Sequence, residues 1–255
     1  MRQRVVTGVL GGAFIAFVTY YGGILYDFVY FGITCIAIYE LSKTLFNSGF
    51  KYGAIINYLF AISLFVAKIN DYLIYFNFIL FLYISFNFVM FIFNKKINLK
   101  IMSQIIFVGS YVVFFMYHMI LMNNSKFVWI VYIIAFGSDT FAYFTGKLFG
   151  RHKLYPQVSP NKTIEGAIGG ILGCTIISLF YFDYLRINKY IYIIIFSVSA
   201  SVFSMLGDLA ASKIKREYKI KDFGNFLPGH GGILDRFDSV LFVAPVVYYF
   251  INHFI

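Results

Sequence analysis

Apolar runs long enough to cross a membrane follow one another along nearly the whole chain, and they constrain the fold more than any other feature. The hydrocarbon core of a bilayer requires roughly 20 apolar residues per helix, with about 17 as a practical minimum. The sequence therefore predicts an all-α, polytopic bundle of about nine transmembrane helices. The predicted spans are approximately residues 5–22, 23–41, 53–67, 72–93, 101–122, 127–144, 163–182, 190–206 and 240–254.

Composition excludes a soluble domain. Of the 255 residues, 60% are hydrophobic and 13% are charged, whereas a soluble domain usually carries about a quarter of its residues as charged side chains. In a soluble protein, a net charge of +10 would indicate nucleic acid, but membrane proteins carry cytoplasmic Lys and Arg in any case. We therefore expect membrane lipid and no nucleic acid as a partner. Cys35 and Cys174 lie in apolar runs, which favours buried thiols over a disulfide or metal ligands.

The distribution of basic residues predicts the orientation. With the N-terminus in the cytoplasm, nine spans leave all but four of the 21 Lys and Arg residues on the cytoplasmic side, as the positive-inside rule requires. The C-terminus should then lie outside, in a multi-pass protein of the cell inner (cytoplasmic) membrane. Residues 1–4 followed by an apolar run resemble a signal peptide, but without a convincing cleavage site a retained first helix is expected. The four basic residues outside are Lys68, Lys126, Arg186 and Lys189.

The charges also predict how the chain is organised. We expect a single membrane domain over residues 1–255, because no soluble domain, long linker or internal repeat is visible. Residues 1–126 are predicted to be mainly scaffold spans, because apolar helices rarely contain catalytic residues and charges inside the membrane usually mark a functional site. Residues 127–255 read as a catalytic half with cytoplasmic loops at 145–162 and 207–239.

Three aspartates in the second loop and its flanks fit a metal site. Asp208 follows the eighth span, and Asp235 and Asp238 are three residues apart, so on a helix they share one face. Carboxylates at one membrane depth could converge on one or two Mg²⁺ ions, which take oxygen ligands. The alternative is that the aspartates cap helices or pair with nearby bases. The bases in question are Lys215, Arg216 and Arg236.

The glycine-rich stretch between these aspartates is a weaker signal. Residues 227–235 read Leu-Pro-Gly-His-Gly-Gly-Ile-Leu-Asp, so backbone amides around Gly231 and Gly232 could approach an anion. His230 could donate a hydrogen bond to a phosphate. Glycines also simply make turns, and a lone histidine is more often structural.

The first loop ends in a candidate phosphate cradle. Ser159, Lys162 and Thr163 offer hydroxyls and an ammonium beside the free amides of a helix start. Equally, Ser159 or Asn161 could cap the helix while Lys162 extends to the lipid headgroups. Asp139 lies inside an apolar helix, where a carboxylate is costly unless it is paired or bound to metal, so a function is expected there.

Residues 212–238 resemble the signature of the phosphatidate cytidylyltransferases, also called CDP-diacylglycerol synthases. In that family the pattern runs S-x-x-K-R, four residues, K-D-x-G, then P-x-H-G-G-x-x-D-R-x-D, and this chain matches every fixed position without a gap. Further blocks, at Ser138-Asp139-Thr140 and Gly207-Asp208-Leu209 among others, are also similar. One position departs, because members commonly have Glu where this chain has Ala211.

The resemblance implies transfer of CMP from CTP to phosphatidate, with Mg²⁺ as cofactor, and a homodimer. It implies that Asp208, Asp235 and Asp238 serve the metal, with Asp139 in support. The bases and the first-loop residues would bind the substrates' phosphates, together with the polar and glycine positions of the signature. These substrate-binding residues are Ser159, Lys162, Thr163, Lys215, Arg216, Lys221, Asp222, His230, Gly231, Gly232 and Arg236.

Two other classes remain open on the sequence. A membrane kinase that uses CTP on a polyprenol could carry similar acids and glycines, but should lack the complete signature. A transporter or channel predicts charges deep in several spans or paired broken helices. Here the charges concentrate at one membrane face instead.

Overall fold

A computed structural model describes residues 2–46, 50–226, 229 and 231–255 of the chain. The described part is mainly helical, which confirms the predicted all-α class. A short 3₁₀ helix, Leu73–Tyr75, precedes the fourth α-helix. The α-helices are α1 (Arg2–Tyr21), α2 (Gly23–Leu45), α3 (Phe50–Ile69), α4 (Phe76–Phe93), α5 (Leu99–Val108), α6 (Phe115–Leu121), α7 (Val128–Phe149), α8 (Ile164–Tyr184), α9 (Tyr190–Glu217) and α10 (Leu234–Phe254).

Eight helical segments in the described part are long and apolar enough to cross a membrane, so the protein is a multi-pass membrane protein. One of them, Leu99–Leu121, is α5 and α6 joined by a π-helical turn at Gly109–Phe114. A shorter apolar stretch, Val6–Tyr21, corresponds to the first predicted span. Each of the nine predicted spans overlaps a helix, and the topology of the termini stays a prediction.

The ends of the predicted spans differ from the helix ends. The third and last spans were predicted over 53–67 and 240–254, whereas α3 covers Phe50–Ile69 and α10 begins at Leu234. The prediction stopped at charged residues, but helical hydrogen bonding continues through a charge that has a partner or reaches the interface. Between α1 and α2 the helix is interrupted at Gly22 and Gly23, whose φ angles of 65° and 62° favour glycine.

The chain forms two compact units. The first comprises Met1–Asn123 with Asp222–Asp235, and the second comprises Asn124–Lys221 with Arg236–Ile255. The central part of the signature therefore groups with helices from the half predicted to be scaffold. Whether the chain behaves as a single domain stays a prediction.

In the first unit, α2 and α3 are fastened by a buried ion pair. Lys68 Nζ lies 2.8 Å from Asp27 Oδ2, and Asp27 is 4% exposed. The Asn123 side chain donates to the other Asp27 oxygen at 2.8 Å. Because the carboxylate is paired and hydrogen-bonded, it is accommodated at this depth.

In the second unit, glycines let α7 and α8 approach closely. A β-carbon at Gly166 would lie 2.7 Å from the Ala142 carbonyl oxygen, and one at Gly170 would lie 2.8 Å from that of Ser138. Such distances are below any van der Waals contact, so only glycine fits. Gly166 also lines a polar cleft at the end of these helices.

A short hairpin, absent from the sequence prediction, connects α7 and α8. Strand β1 (Lys153–Tyr155) pairs antiparallel with β2 (Ser159–Thr163), with Lys153 opposite Thr163. Thr163 then caps α8, because its hydroxyl oxygen accepts from the Gly166 amide at 3.1 Å. The predicted alternative cap at Ser159 or Asn161 was therefore wrong, since both lie within the strand, before the helix start.

Candidate active site

A polar cleft of about 470 Å³ opens in the second unit among α7, α8, α9 and the hairpin. It contains five of the predicted site residues together with the flanking Lys147. Its charged and hydroxyl-bearing lining residues are Asp139, Tyr143, Lys147, Ser159, Lys162, Thr163 and Asp208.

Lys162 lies between two carboxylates in this cleft. Its ammonium forms an ion pair with Asp208 and lies 3.8 Å from Asp139 Oδ1, and its side chain is 22% exposed. The three charges come from β2, α9 and α7, so distant parts of the sequence meet here. The ammonium therefore offsets the repulsion between two partly exposed carboxylates, whose side chains are 48% exposed for Asp139 and 23% exposed for Asp208.

Asp238 adds a third carboxylate to this electrostatic environment. It is 9% exposed, and its Oδ1 accepts from the Ser239 amide at 2.7 Å. The charges of Asp208, Asp139 and Lys215 all act on it. The second unit thus brings Asp139, Asp208 and Asp238 within electrostatic range of one another.

Basic side chains lie on the elements around the cleft. Lys215 and Arg216 occupy the last turn of α9, and Arg216 Nε donates to the Val158 carbonyl oxygen at 3.5 Å. This contact brings the guanidinium to the turn before Ser159. Lys221 is exposed after α9, and Arg236 is exposed in the first turn of α10.

In the first unit, the Asp235 carboxylate organises the signature loop. It is 9% exposed, and its Oδ2 accepts from the amides of Phe223 at 2.8 Å and Gly232 at 3.0 Å. Gly231 has a φ of 87°, and a β-carbon there would lie 3.1 Å from Asp222 Oδ1. The Gly232 amide, predicted to approach an anion, therefore has an internal acceptor. His230 lies outside the described residues.

Glu40 is a site residue that the sequence analysis missed. It lies in α2, is 3% exposed, and accepts from the amides of Ile233 at 3.0 Å and Leu234 at 2.8 Å. The signal was present, because a carboxylate inside a predicted span is as costly as the one that marked Asp139. Ala211, the one position that departs from the resemblance, is fully buried in α9.

The donor chemistry of these groups fits a hard divalent cation. Asp139 and Asp208 already enclose a positive charge, and carboxylate oxygens are the ligands that Mg²⁺ prefers. Across the described ranges, no three His, Cys, Asp or Glu side chains are grouped closely enough to hold a metal by themselves. The predicted Mg²⁺ ligands stay predictions.

Membrane-spanning helices around a cleft of paired charges define a polytopic membrane protein with a polar site at helix ends. The sequence profile of the Cytidylyltransferase family matches residues 2–254. The chain therefore belongs to that family, which confirms the resemblance carried by the signature.

The names of similar curated proteins agree with this family. The chain is similar to proteins named phosphatidate cytidylyltransferase from Bacillus subtilis (strain 168), at 46% identity over 123 residues, and Staphylococcus haemolyticus (strain JCSC1435), at 43% over 129. A third, from Staphylococcus aureus (strain COL), is 47% identical over 117 residues. These matches cover 46–49% of this chain and 45–48% of each relative. The chain thus spans about half the length of the curated relatives it matches.

Proposed function

We propose that the protein transfers CMP from CTP to phosphatidate, giving CDP-diacylglycerol and pyrophosphate in phospholipid biosynthesis. The observation that carries the proposal is the cleft in which Lys162 lies between Asp139 and Asp208. Mixed charges of this kind suit a polyphosphate substrate with its cation. The family membership and the names of the relatives support this chemistry over a transporter.

In the proposed reaction, a phosphatidate oxygen attacks the α-phosphorus of CTP. A bond forms between them, the bond from the α-phosphorus to the bridging oxygen breaks, and pyrophosphate leaves with the electron pair. The attacking phosphate is already ionised at neutral pH, so no strong general base is required. The chain's task is to align the two phosphates and to neutralise their charge.

Basic residues supply the positive charge that two phosphorylated substrates need. Arg216, near the hairpin turn, is suited to a forked grip on phosphate oxygens. Lys215, Lys221 and Arg236 add charge from the neighbouring elements, and Ser159 adds a hydroxyl donor from β2. Thr163 contributes chiefly by starting α8, whose first turn lines the same cleft.

Asp208, Asp235 and Asp238 would hold Mg²⁺, in one or two ions. When bound, the ion neutralises phosphate charge and makes the leaving pyrophosphate more stable. Asp139 would support the site by keeping Lys162 near Asp208.

The remaining expectations belong to the same proposal. The cleft would lie on the cytoplasmic side of the inner membrane, because CTP is cytosolic and basic loops stay on that side. The substrates would meet at the membrane surface, with the acyl chains of phosphatidate in the bilayer. A homodimer is proposed from the family alone.

Product identity tests the proposal. Purified protein in detergent with CTP, phosphatidate and Mg²⁺ should release one pyrophosphate for each CDP-diacylglycerol formed. A CTP-dependent lipid kinase, the alternative enzyme class, would release CDP and no pyrophosphate. Release of CDP in proportion to lipid consumed would contradict the proposal.

A further inference from the structure

We propose that Glu40 is a positioning residue that holds the signature loop in the conformation in which Asp235 works. The inference rests on the proposed function, because it assigns Asp235 a role in that reaction. Glu40 lies in the half of the chain that the sequence marks as scaffold, and no part of the signature contains it.

Glu40 connects two segments that are 193 residues apart in sequence. Its two carboxylate oxygens accept separately, Oε1 from the Ile233 amide at 3.0 Å and Oε2 from the Leu234 amide at 2.8 Å. The Leu234 amide is the first of α10 and the Ile233 amide directly precedes it, and the first amides of a helix lack internal acceptors. A carboxylate also suits the positive end of the helix dipole. Glu40, a buried residue distant in sequence, thus accepts the hydrogen bonds that a neighbouring N-cap side chain usually accepts.

Two glycines of the signature are explained by this carboxylate. A β-carbon at Gly232 would lie 2.6 Å from both Glu40 oxygens, and one at Gly224 would collide with Oε1. Neither glycine has a positive φ, so the obstacle at both positions is Glu40, and an added β-carbon would push its carboxylate away from the Ile233 and Leu234 amides. The backbone at Gly224 and at Gly232 is therefore shaped around one side chain.

Glu40 and Asp235 divide consecutive amides between them. The Gly232 amide donates to Asp235 Oδ2, and the next two amides, of Ile233 and Leu234, donate to Glu40. Rotation of this backbone would therefore remove the bond that orients the Asp235 carboxylate. Losing the Glu40 charge should release the backbone, because two buried amides would then lack full acceptors.

The main experiment compares Glu40→Gln with Asp27→Asn in purified protein. Both residues are buried in α2, 4% exposed or less, and both accept hydrogen bonds. They are 13 positions apart, roughly 20 Å along the helix at 1.5 Å per residue. Asp27→Asn is therefore a matched control for loss of a buried charge away from the loop.

For Glu40→Gln we expect kcat per folded protein to fall about tenfold or more while KM for CTP changes less than about threefold, as for an interaction that matters in the transition state. The Mg²⁺ concentration that half-stabilises the protein against heat should rise several-fold. Asp27→Asn should lower the unfolding temperature and leave kcat and the Mg²⁺ midpoint unchanged. If Glu40→Gln behaves like Asp27→Asn, the positioning role is overturned.

A double-mutant cycle tests the contact without turnover. Gly224→Ala should destabilise the parent protein strongly, but should cost much less in a Glu40→Ala background, where the colliding oxygens are gone. Additive changes in unfolding temperature would overturn the inference. If the parent makes no CDP-diacylglycerol, the proposed function fails, and the position of Glu40 is then judged by this cycle alone.

Discussion

The ammonium of Lys162 forms an ion pair with the carboxylate of Asp208. The sequence predicts that Lys162 binds phosphate and that Asp208 binds a metal ion, and the structure pairs these two side chains with each other. Asp139 lies on the other side of the same ammonium, at 3.8 Å. A cation that enters this cleft therefore meets a site already arranged for positive charge.

Lys162→Met should make the cleft depend on a divalent cation. The variant keeps an unbranched, flexible side chain but leaves Asp139 and Asp208 with no charge between them. In EDTA we expect the unfolding temperature to fall by roughly 2–8 °C relative to the parent, and Mg²⁺ should recover most of the loss. Thermal unfolding in detergent with and without Mg²⁺ measures both effects.

Lys147→Met is the matched control for this variant. Lys147 lines the same cleft, but its ammonium lies 5.9 Å from the centre of the Tyr143 ring, an interaction that tolerates loss at an exposed site. We expect a small change in unfolding temperature that does not depend on Mg²⁺. Equal Mg²⁺ responses in the two variants would contradict the role of Lys162 between the carboxylates.

Asp235→Asn should abolish turnover in a protein that still folds and inserts. Asparagine retains an oxygen that can accept from Phe223 and Gly232 but lacks the charge that a divalent ion needs. Asp183→Asn, a remote exposed substitution, serves as the control. Activity of Asp235→Asn within a few fold of the parent would remove Asp235 from the metal site.

Arg216→Ala should reduce kcat more than it raises either KM. The guanidinium approaches the hairpin turn at Val158, and a planar fork can hold two phosphate oxygens in a way that a lysine cannot reproduce. Arg216→Lys should therefore recover only part of the rate. Steady-state kinetics with CTP and phosphatidate varied separately distinguish this from a simple binding defect, in which only KM would change.

Orientation in the membrane can be measured directly. A reporter fused after Phe254 should report the outside, and one inserted between Lys95 and Lys96, in the exposed connection before α5, should report the cytoplasm. The expectation follows from the distribution of basic residues. Two reporters on the same side would show that the number of crossings between them is even.

The helices could be predicted because apolar length is a property of consecutive residues. The span at 101–122, for example, is a single crossing even though a π-helical turn interrupts α5 and α6. Helix ends were less predictable, since α10 begins six residues before its predicted span and includes Asp235 and Asp238. Hydropathy stops at such charges, whereas backbone hydrogen bonding does not.

Site residues could be predicted only where a short local motif contains them. Ser159, Lys162 and Asp208 were identified from local motifs, but the ion pair between the last two depends on how α9 packs in the second unit. Glu40 was missed because its partners lie 193 and 194 residues away, and no local pattern records such a contact. The expense of burying its carboxylate was the one available signal.

The most direct test of the central claim follows the phosphorus atoms of CTP. Purified protein with phosphatidate and Mg²⁺ is given CTP labelled at the α-phosphate or, in parallel, at the γ-phosphate. The account predicts that α-label enters the lipid as CDP-diacylglycerol and that γ-label appears only in pyrophosphate. The Asp235→Asn variant should form neither labelled product. Transfer of γ-label to lipid, or no phosphatidate-dependent transfer by the folded parent, would contradict it.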